Sequence, residues 1–487
     1  MNTFMNGMKE MNNFTHTANG ALAHKSTNSA VYDMFAFGGA IRAKSKEDKI
    51  LLFKNAYEEN AALAIKCLFY LSDCRGGQGE RDFFRVCFNW LAKNHKEAAL
   101  RNLKFIPEYR RWDDVIYSCV GTPIEKDALS FIRKQLILDL QCKTPSLLAK
   151  WMPSENTSSD KTRAMANIVR KFMKMSHKEY RKTLSLLRQR INIVERLMSA
   201  NQWDKIEFDK IPSKAGLIYK NAFARRDIIA KKYEAFATSK ETKVNASTLY
   251  PYEVVQKAHS AHTTTDKAMV EKYWENLPDY LNGKPCKMMC VVDTSGSMTW
   301  TGSNPKPIDV AISLGMYCAE RVGGPFKNHY ISFSRSPRLI KVEGVDFCDK
   351  VNRIYRADLC ENTNLAAVFD MMLEIALRPT TKVEDMPDTL VIISDMQIDC
   401  MSYGWREDTT ATEMERICQK WKRYGITPPR LVYWNVNATN PVVLDKSPKA
   451  TFVSGCSPTI FKQVLTGKTG YDLMIDTITA ERYAQVG

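Results

Sequence analysis

The sequence predicts two parts: an α-helical region up to about residue 280, and an α/β region with a doubly wound sheet beyond it. In the first part, apolar residues recur at helical spacing, as at Ile50, Phe53 and Ala56. In the second part, β-branched runs of strand length alternate with amphipathic runs of helix length, which is typical of a mainly parallel sheet covered by helices. The 487 residues are enough for each part to have its own core.

The first part is predicted to be a solenoid of paired helices. The expected helical runs are 49–71, 80–92, a run after residue 113, 128–140, 161–175, 178–198 and 218–236. Helices of this length with brief breaks favour an α-solenoid over a bundle, although no fixed repeat period is present. Residues 1–28 are polar and rich in Asn and Thr, so we expect a flexible arm there, and a Thr-rich hinge at 259–266.

The second part has six predicted strands and a series of predicted helices. The strands are 287–293, 329–333, 339–342, 389–395, 430–436 and 450–453, and the helices are 308–322, 365–377, 411–423, 459–465 and one within 467–487. In doubly wound sheets, ligands bind at the carboxyl ends of the strands. Residues at those ends are therefore the candidates for a site.

Two predicted strands end in an acid and carry the strongest motif. Asp293 is followed by Ser295 and Ser297 on a tight loop, Asp395 ends a later strand, and Thr363 precedes a predicted helix. Carboxylate and hydroxyl oxygens are the ligands of hard cations, so the set predicts a site for Mg²⁺ or Mn²⁺. The alternative is that each residue is an ordinary helix cap or turn residue.

The pattern D-x-S-x-S, then Thr, then Asp resembles the metal-ion-dependent adhesion site of von Willebrand factor A domains. That resemblance implies one divalent ion bound by the five residues, with one coordination position open for an Asp or Glu of a partner protein. Many A domains have glycine before the threonine, whereas this chain has Asn362.

The net charge of +16 is concentrated in the first part. Residues 1–280 have 46 Lys and Arg against 31 Asp and Glu, whereas residues 281–487 have 24 against 23; residues 151–250 alone have 21 against 10. A basic region next to a neutral one predicts a polyanionic partner, with surface charge for solubility as the alternative. The candidate phosphate contacts are Arg75, Arg81, Lys150, Lys161, Arg163, Arg170, Lys171, Lys214, Arg225 and Arg226.

Alternatives remain open for several of these positions. Arg75 and Arg81 have acids beside them and would instead pair with those acids in a turn. The Gly-rich stretch 76–79 matches the GxxG phosphate clamp formally, but no KH strand pattern surrounds it, so a tight turn between helices is favoured. Aromatic residues that could stack on bases or pack in the core are Tyr109, Trp112, Trp151 and Trp203.

Five stretches in the first part resemble one family. They are 35–42, 68–81, 111–114, 148–153 and 212–215, and they look like an uncharacterised family that pairs a helical N-terminal half with a C-terminal A domain. That family is similar to the TROVE domain of the Ro ribonucleoprotein autoantigen. The resemblance implies HEAT-like repeats in a ring that binds RNA on its basic surface. The implied division is a 1–28 arm, a 29–280 TROVE-like domain and a 281–487 A domain.

Several classes of protein are not favoured. No apolar run is long enough for a transmembrane helix, and the N-terminus lacks a secretory signal pattern. Thirteen scattered cysteines indicate reduced thiols and a cytoplasmic protein. The seven histidines are dispersed, and no nucleophile or base motif is present. We therefore expect a non-catalytic RNA-binding protein with a metal-dependent protein-binding domain. The alternatives are a scaffold without RNA and, with least support, a metal-dependent hydrolase.

Overall fold

The computed structural model describes residue 8 and residues 11–191, 193–283, 286–299, 302–333, 336–357, 364–398, 412–438, 441–447 and 450–487. The chain forms two compact units. The helical unit comprises Leu68–Thr248 with Tyr483–Gly487, and the sheet unit comprises Met1–Cys67 with Leu249–Arg482. A helix-rich N-terminal region and an α/β C-terminal region are therefore confirmed, while the units divide the chain at positions other than the predicted 28/29 and 280/281.

The helical unit consists of short and medium helices in series. After Ala61–Ser72, which enters it from the sheet unit, its helices are Arg81–Asn94, Lys96–Leu103, Ile106–Tyr109, Trp112–Cys119, Glu125–Gln141, Leu148–Trp151, Asp160–Met173, His177–Arg190, Val194–Ser199, Ser213–Ala224 and Asp227–Thr238. The predicted runs 49–71, 178–198 and 218–236 are each two helices. In the first of them, the Leu63 backbone N–H donates to Asn60 Oδ1 at 3.0 Å, so an asparagine starts a second helix where the sequence pattern continues unbroken.

The Gly-rich stretch 76–79 is a tight turn between the helices Ala61–Ser72 and Arg81–Asn94, as the turn interpretation predicted. Gly77 and Gln78 are buried, and the Gly77 N–H donates to the Asp73 carbonyl at 3.2 Å. A Cβ at Gly77 would lie 1.8 Å from the Tyr70 carbonyl oxygen, so a glycine is required by close backbone approach.

Buried polar contacts hold the same region together. Asp114, fully buried, accepts from Arg85 Nε at 2.5 Å and from Arg110 Nε at 3.1 Å. The hydroxyl of Tyr483 donates to Asp73 Oδ2 at 2.9 Å, so the last residues of the chain are part of the helical unit. Removing one partner from such a network leaves an uncompensated buried charge, which costs about 3–5 kcal/mol.

The sheet unit has a small and a large sheet. β1 (Phe14–His16) and β2 (Leu22–His24) form an antiparallel hairpin. The large sheet comprises β3 (Met288–Asp293), β4 (His329–Phe333), β5 (Arg338–Lys341), β6 (Thr389–Ser394), β7 (Arg430–Asn435) and β8 (Ala450–Ser454). Its order is β5-β4-β3-β6-β7-β8, with β5 antiparallel to β4 and the other neighbouring pairs parallel.

The helices of the sheet unit come from both ends of the chain. They are Ala30–Phe37, Lys46–Glu59, Pro251–Ala258, Thr264–Glu275, Pro307–Arg321, Phe347–Ala357, Leu365–Ala376, Glu413–Arg423, Thr459–Val464 and Gly470–Ile478. Every residue of β3 and β6 is buried, as in parallel sheets covered on both faces. Helix Pro307–Arg321 lies so close to β3 that a Cβ at Gly315 would be 2.4 Å from Val292 Cγ2.

Residues 11–41 differ from the expectation of an arm followed by helical repeats. The β1–β2 hairpin is tied to the sheet unit, since the His24 N–H donates to the Val443 carbonyl at 2.8 Å. The Gly39 N–H donates to Ser454 Oγ at 2.9 Å, which places the 35–42 stretch at the carboxyl end of β8. Among the described residues, the helices are all too short or too polar to span a bilayer.

Candidate metal centre

The two acids of the sequence motif lie at the point where the strand order reverses. β3 and β6 are parallel neighbours, with Val292 paired to Ile393. β3 ends at Asp293, and Asp395 directly follows the end of β6. From β3 the chain continues to β4 on one side and later to β6 on the other, and in doubly wound sheets such a reversal is where ligands bind at the carboxyl ends of the strands.

Hydrogen bonds connect four of the five predicted ligands. The Ser295 N–H donates to Asp293 Oδ1 at 2.9 Å, and the hydroxyl oxygens of Ser295 and Ser297 lie 3.1 Å apart. The Ser297 hydroxyl also contacts the carboxylate of Asp395. The structure thus brings Asp293, Ser295, Ser297 and Asp395 together, while Thr363 lies outside the described residues.

The two carboxylates of this cluster are close to each other and are shielded from water. Asp293 is fully buried and Asp395 is 2% exposed. Burial first, and the charge of Asp395 second, raise the pKa of Asp293 well above its usual range. Burial also raises the pKa of Asp395. Among the described residues, no Lys, Arg or His forms an ion pair with either acid.

Two buried carboxylates and two hydroxyl groups fit a divalent cation. A charge of +2 would neutralise both acids, and all four donors are hard oxygens. The described residues contain no group of three or more His, Cys, Asp and Glu side chains placed to bind a metal. Any cation at this position would therefore depend on the hydroxyl groups as well as on the two acids.

Two further residues support the acids and were not predicted. Ser394 Oγ donates to Asp293 Oδ2 at 2.5 Å and accepts from the Met396 N–H at 2.9 Å. The Gln397 N–H donates to Asp395 Oδ1 at 3.2 Å. Ser394 directly precedes the acid in the sequence, but its contact with Asp293 depends on the pairing of β3 with β6.

The predicted phosphate-contacting residues fall into two groups. Arg163 and Arg170 are engaged locally: Arg163 pairs with Asp160, and Arg170 Nε lies 2.9 Å from Glu155 Oε1. The exposed side chain of Arg75 donates to the Glu108 carbonyl at 3.2 Å, while its backbone N–H donates to Asp73 Oδ1 at 2.9 Å.

The other candidates include cations that lie over aromatic rings. These are Lys150 over Trp151, Lys161 over Tyr117 and Arg226 over Trp203, at 5.5, 5.4 and 4.8 Å from the ring centroids. Exposed positions are Arg81, Lys161, Lys171, Lys214, Arg225 and Arg226. These six are placed to reach a ligand in solution.

Packing accounts for the aromatic residues considered for base stacking. Tyr109 and Trp203 are buried, at 1% and 5% exposure. Trp112 packs on Phe131 at 5.3 Å between ring centroids, and the Arg111 guanidinium lies 4.1 Å from the centroid of Trp151.

A denser group of cations begins at Lys171, and its other members were not among the predicted phosphate contacts. We call Lys171, Lys174, Lys178, Arg181 and Lys182 the cationic stretch; all five are exposed. Its one acid, Glu179, accepts from the Ser176 N–H at 2.7 Å in a capping box. The helical unit has 35 Lys and Arg against 20 Asp and Glu, whereas the sheet unit has 35 against 34. Nearly all of the net charge is therefore in the helical unit.

Two family matches cover most of the chain. Residues 17–115 and 127–284 match the family described as Domain of unknown function (DUF2828), and residues 287–483 match Domain of unknown function (DUF7788). The chain belongs to the DUF2828 family. This DUF2828 protein is also 30% identical over 473 residues to an uncharacterized protein of Acanthamoeba polyphaga mimivirus, over 88% of this chain and 80% of the relative. Membership of an uncharacterised family is thus confirmed.

Proposed function

We propose that this DUF2828 protein binds protein partners through a divalent cation, at a site of the von Willebrand A type. Asp293, Ser295, Ser297 and Asp395 would hold Mg²⁺ or Mn²⁺, and Thr363 would add a hydroxyl. The observation that carries the proposal is the pair of buried carboxylates, with two hydroxyl groups between them, at the point of strand reversal.

The charges of the site favour an acidic ligand from the partner. The two carboxylates balance a divalent cation, while the serine hydroxyls are neutral donors. One more anionic oxygen, from an Asp or Glu of the partner, then completes the coordination. This role requires no proton transfer, in agreement with the absence of a catalytic motif in the sequence, and we propose a non-catalytic protein.

The test is cation-dependent stability of the full-length protein. A ligand at 100 times its Kd stabilises the folded state by about 2.7 kcal/mol. At about 2–4 °C per kcal/mol, Mg²⁺ should raise the Tm by about 5–10 °C. Asp293→Asn should abolish this shift, whereas Asp445→Asn, at a buried acid outside the cluster, should retain it. Equal shifts in wild type and Asp293→Asn would refute the site.

The partner role has its own test. Proteins captured by the full-length chain in Mg²⁺ should be lost with EDTA and with Ser295→Ala combined with Ser297→Ala. The same proteins recovered with and without chelator would refute cation-dependent binding, leaving the ion as a structural element.

We propose RNA as the ligand of the helical unit, in the manner that a TROVE-like, HEAT-like arrangement implies. The support is the excess of 35 basic over 20 acidic residues in this unit and the exposed cations of the cationic stretch. RNA that copurifies with the full-length protein, seen as excess absorbance at 260 nm that ribonuclease removes, would support this proposal. Its absence, together with binding of acidic proteins, would favour the scaffold alternative.

A further inference from the structure

The tip of the β1–β2 hairpin lies against the loop that follows Asp395. The Thr17 hydroxyl donates to the Ile398 carbonyl at 2.6 Å, and the Ala18 N–H donates to Gln397 Oε1 at 2.7 Å. Asn19 Nδ2 donates to the Gln397 carbonyl at 2.7 Å. Three consecutive hairpin residues therefore bind two consecutive residues of the loop. All of them belong to the sheet unit.

Gln397 connects this hairpin to Asp395. Its N–H donates to Asp395 Oδ1 at 3.2 Å, and its side-chain Nε2 donates to the Asp395 carbonyl at 3.3 Å. Its two oxygens accept from Ala18 and Asn19. Gln397 is 4% exposed, and it donates both of these hydrogen bonds to Asp395 and accepts both of the others from the hairpin.

The backbone between the two residues needs this support. Met396 has φ of 64°, in the left-handed region, where a residue with a side chain is strained. Such a conformation persists only where its surroundings fix it. On one side the Ser394 hydroxyl accepts from the Met396 N–H at 2.9 Å, and on the other the hairpin holds Gln397.

We propose that Gln397 and the hairpin tip are positioning residues for Asp395, so that cation affinity depends on the docked N-terminal hairpin. The inference rests on the proposed cation site. Residues that orient a metal ligand through hydrogen bonds typically change metal affinity by about 10–100-fold. Detaching the hairpin would free Gln397, let the strained turn relax, and move the carboxylate away from Asp293 and the serines.

The test compares Mg²⁺ affinity of full-length variants by titration calorimetry. Gln397→Ala and Asn19→Ala should each weaken Mg²⁺ binding, the former by about 10–100-fold. Thr17→Val should weaken it too, whereas Thr17→Ser, which keeps the hydroxyl, should bind as the wild type does. Asn19 is exposed, so Asn19→Ala tests the contact even if Gln397→Ala fails to fold.

Lys25→Ala is the matched control. Lys25 Nζ donates to the Asn12 carbonyl at 3.0 Å within the same N-terminal segment and contacts neither Gln397 nor Ile398. A merely structural hairpin would lower the Tm in EDTA without changing the Mg²⁺ Kd of the folded protein. Unchanged Kd values in Asn19→Ala and Thr17→Val would overturn the inference, whereas failure of the wild type to bind Mg²⁺ or Mn²⁺ would overturn the proposed site itself.

Discussion

Neutralising the four lysines of the cationic stretch should reduce RNA affinity and flatten the salt dependence of RNA binding. The perturbation is Lys171, Lys174, Lys178 and Lys182 changed together to Gln. All four are exposed and, within the described residues, their amino groups form no ion pair. Their removal should therefore leave the helical unit folded, because surface substitutions of this kind usually change stability by less than about 0.5 kcal/mol.

The magnitude follows from counterion release. Each phosphate contact on single-stranded RNA contributes about 0.7 to the slope of log K against log salt. If all four lysines contact phosphates, the slope should become shallower by up to about 2.8. At about 0.1 M salt, that corresponds to an affinity loss of up to about 600-fold. The assay is fluorescence anisotropy with a labelled single-stranded RNA, over a series of salt concentrations.

A charge-matched control separates the cationic stretch from net charge. Lys93, Lys96, Lys126 and Lys134 are also exposed, on other helices of the same unit, and changing them to Gln removes the same +4. The control should keep most of the wild-type slope. Equal slopes in all three proteins, or equal losses in the two variants, would refute the assignment of RNA binding to the cationic stretch.

Two further predictions test the fold. Gly77→Ala should destabilise the helical unit, because the added methyl group would lie 1.8 Å from the Tyr70 carbonyl oxygen. Gly296→Ala is the control, since its methyl group would have no atom within 4 Å and the variant should have the Tm of the wild type. Equal Tm values for the two variants in thermal unfolding would contradict this prediction. Burial lowers the pKa of His259, an effect that Asp309 partly opposes. The imidazole is therefore protonated more readily in the unfolded chain than in the folded protein, so the free energy of unfolding should fall as the pH is lowered below about 6.5. Urea unfolding at pH 7 and pH 5 should show a smaller loss in His259→Gln, and an equal loss would contradict the assignment.

The strands of the large sheet could be predicted from the sequence because parallel strands that are buried on both faces consist of continuous apolar residues. β4 was predicted to the residue, and the other five strands of the large sheet within two residues at each end. Helix Phe347–Ala357 was missed, although Phe347, Val351 and Ile354 are buried at helical spacing. Its apolar stripe is narrow, and charged residues separate its members.

Contacts between distant segments could not be predicted from one sequence. Thr17 and Ile398 are 381 positions apart, and nothing in the polar N-terminal residues indicates that they close on the loop after Asp395. The motif itself identified Asp293 and Asp395, because each acid ends an apolar run. Local pattern thus indicated which residues form the cluster, while the register of β3 with β6 determines how Ser394 and Gln397 support it.

Two of the buried carboxylates of this protein, Asp114 and Asp293, should change stability in opposite directions when each is replaced by Asn. Asp114 is neutralised by Arg85 and Arg110, so Asp114→Asn should lower the free energy of unfolding by about 3–5 kcal/mol. Asp293 faces a second acid, and Asn at this position could still accept from Ser295 and donate to Ser394 Oγ. In EDTA at neutral pH, Asp293→Asn should therefore raise the free energy of unfolding, since the removal of one of two like charges outweighs the Ser394 hydroxyl proton's loss of its acceptor. A fall similar to that of Asp114→Asn in urea denaturation would contradict the like-charge repulsion between Asp293 and Asp395.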